Sequence, residues 1–378
     1  MAVTKIQRSK ESFLTKITNL NESTQDSIKY TINNFENFCM EKYGNNYIIP
    51  DLKKSTDEEI YDVLQNWINW NGNKAPRSVR TLFSHLRKYL HYMSIKLNQQ
   101  DINAELDFSH SVEDEKYGMT HTDIQQILNK MRYKHMVQYL CQSSSLMRIG
   151  EIIQLRKKHL ILGQKNIIVR IPSTIAKFNK ARTTFFSKEA SRLLIPLLKK
   201  IDDDDLVFGT SDNPKLTPYQ NKVNSQSATK QVLRLAAKRA GLDMTYESTG
   251  RYLINTHSFR AFGITKLSRH DPNFAKKLAG QKGYLLEYDR MSDEEKLDIY
   301  EKYENELIID NSLKLKKEKE ILESKVATTE KLRARIKALE EEKNDFAIKL
   351  QNKSFTEKIK IKDLSPELQK IIRKLEEK

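Results

Sequence analysis

Three short stretches of this chain hold the residue types that bind and work on phosphate. His257-Ser258-Phe259-Arg260 sets an imidazole and a guanidinium three residues apart, one helical turn. Leu146-Met147-Arg148-Ile149-Gly150-Glu151 follows a serine run and sets a guanidinium three residues before a carboxylate. Ala176-Lys177-Phe178-Asn179-Lys180-Ala181-Arg182 is a basic stretch between two apolar runs. Each has a plain structural account on its own. His257 and Arg260 fit an exposed helix face, Arg148 fits a surface pair with Glu151, and Lys177 and Lys180 fit solvated charges at a turn. Arginine forks match the oxygens of a phosphate and stay charged through a reaction, so two of them near an imidazole and an amine would form a phosphate cradle.

The charge distribution favours that joint reading. The 378 residues carry a net charge of +16. Residues 1–115 hold 14 Lys+Arg against 16 Asp+Glu, residues 116–310 hold 33 against 21, and residues 311–378 hold 19 against 13. The excess thus centres on the segment containing all three stretches, and it implies a polyanionic partner: DNA, RNA or an anionic membrane. Cys39 and Cys141 lie in apolar helical patterns, so buried thiols are expected, and no Cys/His cluster has zinc spacing. No apolar run approaches membrane-spanning length and residues 1–5 open no signal sequence. A cytoplasmic, nucleoid-associated protein without cofactor or membrane partner is the expectation.

The elements that must position these residues are mostly helical, since Gly (11) and Pro (8) are scarce. Ile28, Ile32, Phe35, Phe38 and Cys39 follow helical spacing, with Gly44 placed to end that helix. Thr56 and Glu59 form a capping-box signature ahead of Ile60, Val63, Leu64, Trp67 and Ile68. Pro76 opens a third helix with Val79, Leu82, Leu86 and Leu90 on one face. Residues 1–98 therefore read as a small helical domain, and the acidic stretch 99–119 as a linker. Within 120–310, helices are expected at about 120–131, 135–143, 188–200, 226–240 and 273–279. A hairpin of Ile167–Ile171 and Thr183–Phe186 would carry the Lys177 stretch at its tip. Residues 311–378 read as a charged helical tail. Leu315, Leu322, Ile336 and Leu350 fall at multiples of seven, and Leu332, Leu339 and Phe346 give a second heptad position. A coiled coil that contacts another copy or a partner is expected there.

Taken in order, Arg148-x-x-Glu151, the Lys177 hairpin tip, His257-x-x-Arg260 and Tyr288 beyond a Gly-Gln turn resemble the tyrosine recombinase (phage integrase) family, including archaeal-type and mobile-element integrases. The resemblance covers about 120–303 as a catalytic domain and 1–98 as a helical core-binding domain. It implies a mainly α fold with a small antiparallel sheet, the two domains clamping double-stranded DNA from opposite sides. The family's Gly-Lys-Gly-x-Lys-x-Arg hairpin falls on 176–182, which gives Lys177 the catalytic-lysine role, with Lys180 second. Gln281 takes the place of the usual His or Trp; it can donate a hydrogen bond to a phosphate but cannot carry a proton.

The resemblance implies site-specific recombination without metal or ATP. Tyr288 attacks a phosphodiester to give a 3′-phosphotyrosyl intermediate. Arg148 and Arg260 hold the nonbridging oxygens, Lys177 protonates the leaving 5′-oxygen, and His257 positions the phosphate or helps deprotonate the tyrosine. Glu151 is expected to orient Arg148 or His257. Tyr300 is the alternative nucleophile, although its spacing with Leu297 and Tyr303 also suits packing. A homotetramer on DNA follows from the family. Three other outcomes remain open at this point: a DNA-binding homologue impaired by Gln281, a type IB topoisomerase-like enzyme, and a coiled-coil scaffold that merely binds DNA.

Overall fold

The computed structural model describes residues 7–110, 112–163, 165–281, 283, 290–310, 329–344 and 365–376. The chain forms two compact units, Met1–Asp310 and Asn311–Lys378. The described residues are mainly helical, with a single small antiparallel sheet among them.

The first unit holds separate hydrophobic cores. One is made by the helices Lys10–Lys16, Glu22–Tyr43, Ile49–Leu52, Asp57–Trp70, Pro76–Tyr92 and Gln99–Glu105. Thr56 and Glu59 cap the Asp57 helix reciprocally: Thr56 Oγ1 accepts from the Glu59 amide at 3.3 Å, and the Glu59 carboxylate accepts from the Thr56 amide at 2.8 Å. Gly44 ends the Glu22 helix in the left-handed region, φ 69°. Ile32, Phe35, Phe38, Leu64, Trp67, Leu86 and Leu90 fill the centre. Each such side chain contributes about 1.5–3 kcal/mol on burial. The start of the expected linker belongs to this core instead. Gln99–Glu105 is helical, capped by Asn98, and Ile102 and Leu106 are buried. Only two apolar residues face inward there, too few to stand out against the acidic composition.

The other cores belong to residues 119–309. The helix Tyr133–Ser145 runs through the middle, with every residue from Val137 to Ser145 buried. The helices His121–Leu128, Lys188–Leu198, Pro218–Arg239 and Thr256–Ser268 surround it, and the sheet lies to one side. The sheet is β1 (Leu160–Leu162), β2 (Ile167–Ile171) and β3 (Arg182–Phe186), in that order and antiparallel throughout. β2 and β3 pair from Ile167 opposite Phe186 to Ile171 opposite Arg182, so the Lys177 stretch closes the hairpin as expected. The edge strand β1 was not expected; it is three residues long and mostly exposed, below the length at which alternation reads as a strand.

Close approach of two helices fixes one glycine. A Cβ on Gly263 would stand 2.1 Å from the Ser143 carbonyl oxygen, so the Thr256–Ser268 helix can seat against Tyr133–Ser145 only with glycine there. A third cluster, including Leu146, Phe185, Phe274, Leu278, Tyr300 and Leu307, packs the last helices onto the sheet and the Arg148 turn.

In the second unit, residues 329–344 and Pro366–Glu376 are helical. Leu332 and Ile336 are exposed on the first of these. The heptad residues Leu315, Leu322, Phe346 and Leu350 lie outside the described residues.

Candidate active site

Arg148 stands at the start of the short helix Ile149–Ile152, just after a tight turn. Leu146 in that turn adopts the left-handed conformation, φ 57°, although it is not glycine. The strain is held by contacts from four directions. The Ser144 carbonyl accepts from the Tyr300 hydroxyl at 3.0 Å, and the Ser145 carbonyl accepts from Thr184 Oγ1 at 2.7 Å. The Leu146 carbonyl accepts from Arg260, and Gly263 lies against the Ser143 carbonyl. A serine run followed by a buried leucine is what such a turn permits: small side chains let β3 and two helices reach its backbone.

Arg260 projects from the first turns of the Thr256–Ser268 helix and is only 2% exposed. Its guanidinium donates to the Leu146 carbonyl and, at 2.8 Å, to the Ala279 carbonyl. The Arg148 guanidinium reaches the same Ala279 oxygen at 3.4 Å. Burial, followed by the charges of Arg148 and Arg182, pulls the Arg260 pKa down to about 9. It therefore stays charged at neutral pH.

Glu151 is the one carboxylate at the centre, and it is 2% exposed. It accepts from the Arg148 amide (2.9 Å), the Arg148 guanidinium (3.2 Å), the Lys177 amide (3.3 Å), and both terminal nitrogens of Arg182 (3.1 and 2.7 Å). Burial works against its ionised form, but the bonds and charge of Arg182, with the Arg148 and Lys177 amides, outweigh it and hold the pKa near 2. Glu151 thus orients Arg148, as expected, and also Arg182 and the hairpin tip.

Lys177 is exposed at that tip, its ammonium 5.1 Å from the centre of the exposed Phe178 ring. Phe178 and Asn179 both take positive φ (67° and 53°), which forms the sharp tip. Lys180 is exposed as well. His257 sits in the first turn of its helix, where its amide donates to the Asn255 cap at 2.8 Å. The residue is exposed, yet its ring is partly desolvated and lies within the field of Arg260, Arg148 and Lys177. Those influences hold its pKa below the ordinary histidine value, which favours neutral imidazole. Gln281 is exposed immediately after Gly280, which ends the Pro272–Ala279 helix at φ 61°.

The structure therefore brings Arg148, Lys177, His257 and Arg260 into one electrostatic neighbourhood, with Gln281 two residues from the shared Ala279 carbonyl. Tyr288 and Tyr284 lie outside the described residues. Tyr300 is a core residue. It is fully buried, its ring is 5.2 Å from that of Phe185, and burial pushes its phenol far above the usual range. Arg182 received no role from sequence. Its position at the end of the basic stretch was visible, but its pairing with Glu151, 31 residues away, was not.

Two guanidiniums pair with one buried carboxylate here and a third, Arg260, lies within their field, so the site keeps a net positive charge beside the exposed Lys177 and His257. Such a site can hold a phosphodiester by charge-assisted hydrogen bonds and stabilise the charge that builds during substitution at phosphorus. Among the described residues, no helix is long and apolar enough to cross a membrane.

The model of the phage integrase family matches residues 118–281, which take in the sheet, both arginine motifs and Gln281. Residues 118–281 belong to that family, the tyrosine recombinases, which are DNA strand-transfer enzymes. A lambda integrase dimer bound to a COC′ core site is 11% identical, with 75% of this chain and 79% of that one covered and a TM-score of 0.51. The integrase of transposon Tn1549 in complex with transposon right end DNA is 12% identical, with 76% and 95% covered and a TM-score of 0.50. These two likenesses show a shared fold. XerH site-specific recombinase bound to difH substrate is 17% identical over 76% of this chain and 82% of that one, TM-score 0.48. A search of curated proteins finds no match.

Proposed function

We propose that the chain is a site-specific DNA recombinase, of the integration or excision type, that cleaves and rejoins double-stranded DNA through a 3′-phosphotyrosyl intermediate. The observation that carries this reading is the pairing of Arg148 and Arg182 with one buried carboxylate, and of Arg148 and Arg260 with the Ala279 carbonyl, with the exposed Lys177 and His257 within the field of these groups.

In this reading Arg148 and Arg260 bind the nonbridging oxygens of the scissile phosphate. The Tyr288 oxygen attacks phosphorus, the bond to the 5′-oxygen breaks, and Lys177 gives that oxygen its proton. The phenol proton leaves through neutral His257, whose depressed pKa keeps it able to accept. Gln281 donates a hydrogen bond to the phosphate. The phosphotyrosyl bond conserves the energy of the diester, so a 5′-hydroxyl from a second duplex can reverse the step without ATP. The N-terminal helical domain and the catalytic domain together grip the duplex, and the positive excess of residues 116–310 supplies phosphate contacts with a steep dependence on salt. Four copies around two duplexes, with the 311–378 tail reaching a neighbouring copy, complete the proposal.

The test begins with covalent capture. A randomised duplex library is incubated with the chain, protein-linked DNA is recovered, and the enriched site is rebuilt with a nick beside the cleavage position. The wild-type chain should trap a covalent adduct whose modified peptide contains Tyr288. Tyr288→Phe should abolish the adduct while binding to the same duplex persists. Binding without any adduct would mean a non-cleaving homologue, an adduct on another tyrosine would overturn the assignment, and relaxation of plasmid lacking the selected site would mean a topoisomerase.

A further inference from the structure

Arg182 is built into the site in a way that the reading above does not use. It begins β3, and its side chain is 10% exposed. Both terminal nitrogens donate to Glu151, at 3.1 and 2.7 Å, and Nε donates to the Leu278 carbonyl at 2.9 Å. The planar fork is thus committed inward on two sides. It grips the carboxylate that orients Arg148 and holds the Lys177 amide, and it grips the turn that leads to Gln281. Gly280 confirms how closely the turn is held: a Cβ there would stand 2.9 Å from both Cδ and Nε of Arg182. Glycine at 280 is therefore required by this approach as well as by its left-handed backbone.

We propose that Arg182 is a positioning residue for strand transfer: through Glu151 and the Leu278–Gly280 turn it sets the places of Arg148, Lys177 and Gln281 around the phosphate. This rests on the recombinase reading of the same site. A phosphate ligand would turn its donors outward, as an exposed lysine can; Arg182 has committed three of its five N–H groups to protein acceptors. The groups facing Glu151 are Arg148 from its own turn, Arg182 from β3, Arg260 from the Thr256–Ser268 helix and the Lys177 amide from the hairpin. Only Arg182 makes a two-pronged pair with it, a geometry that lysine cannot copy.

The experiment uses the full chain and the nicked duplex obtained by covalent capture, in single-turnover cleavage. Arg182→Ala should cut more slowly by about 100-fold, the scale of an ångström-sized misplacement of catalytic groups, with its affinity for the duplex unchanged. Arg182→Lys should fold and recover part of that loss, because a charge is restored without the fork. The loss should not add to that of Glu151→Gln, since both act through one carboxylate. The pH profile should also change. With Arg182 in place Glu151 stays ionised across pH 5 to 8; in Arg182→Ala the carboxylate loses its main support, its pKa rises, and cleavage should fall further as pH is lowered toward 5. Wild-type rates in Arg182→Ala would overturn the proposal. So would losses that simply add to those of Glu151→Gln with an unaltered pH profile. Absence of an adduct with the wild-type chain is a different failure, that of the recombinase reading itself.

Discussion

Two buried polar clusters sit in the first unit, and they are built on opposite principles. In the N-terminal helical domain Asn34, Trp67 and Asn71 satisfy one another. Asn34 Oδ1 accepts from Trp67 Nε1 at 2.9 Å and from Asn71 Nδ2 at 3.2 Å, while Asn34 Nδ2 donates to Asn71 Oδ1 at 3.2 Å. The cluster is neutral and complete. At the Arg148 turn, Arg148 and Arg182 pair with Glu151, and Arg260 lies within the field of all three. That cluster is charged and has a positive surplus. The first arrangement contributes stability and asks nothing of solvent or ligand. The second keeps cations close together in a poorly solvated place, which is favourable only when an anion joins them. The difference separates a structural network from a binding site without reference to any motif.

The largest effect that could break this comparison is at Arg260. Arg260→Met keeps the volume and removes a buried cation flanked by Arg148 and Arg182. Cleavage of the captured duplex should drop by about 100-fold or more, as for loss of a transition-state donor. Thermal stability should not fall, because relief of repulsion and desolvation offsets the lost hydrogen bonds to the Leu146 and Ala279 carbonyls. A large loss of stability with cleavage intact would mean that Arg260 is structural and the surplus charge has no task. The neutral cluster should behave in the reverse way. Asn34→Ala leaves the Trp67 indole N–H and the Asn71 side chain short of partners inside the core. Unfolding in urea should show a loss of about 1–3 kcal/mol, while cleavage per folded molecule stays at the wild-type rate.

The two clusters also differ in how much of them could be read beforehand. Arg148, His257 and Arg260 were legible because their partners in sequence stand one helical turn away, and the hairpin around Lys177 was legible from two β-branched runs flanking a polar tip. Trp67 was placed on an inward face by helical spacing. Asn34 was not, since nothing local distinguishes a buried asparagine from the exposed one beside it. Arg182 escaped for the same reason: its meaning lies in Glu151 and the Leu278 carbonyl, 31 and 96 residues away. The carbonyls of Leu146 and Ala279 could not have been read at all, because any residue supplies a carbonyl. One misplacement was avoidable. The helix expected at 226–240 begins at Pro218, where Thr217 and Gln220 form a capping box and Pro218 takes the first position. Those signals are printed in the sequence as Thr-Pro-Tyr-Gln.

The smallest expected effect is at the boundary between the clusters' two kinds, at Tyr300. Its hydroxyl donates to the Ser144 carbonyl, so it belongs to the packing that holds the Arg148 turn while lying near the downstream tyrosines in sequence. To act as nucleophile it would have to surrender that bond, lose its proton against a strongly raised pKa, and leave a site with no exposed surface. Each requirement opposes attack on a phosphate outside the core. Tyr300→Phe should therefore keep the covalent adduct and lower stability by about 1 kcal/mol, the worth of one buried neutral hydrogen bond. Any slowing of cleavage should be slight, because Thr184, Arg260 and Gly263 continue to hold the turn. Disappearance of the adduct with the fold intact would instead make Tyr300 the reacting group, and the closed packing around it would have to open on DNA.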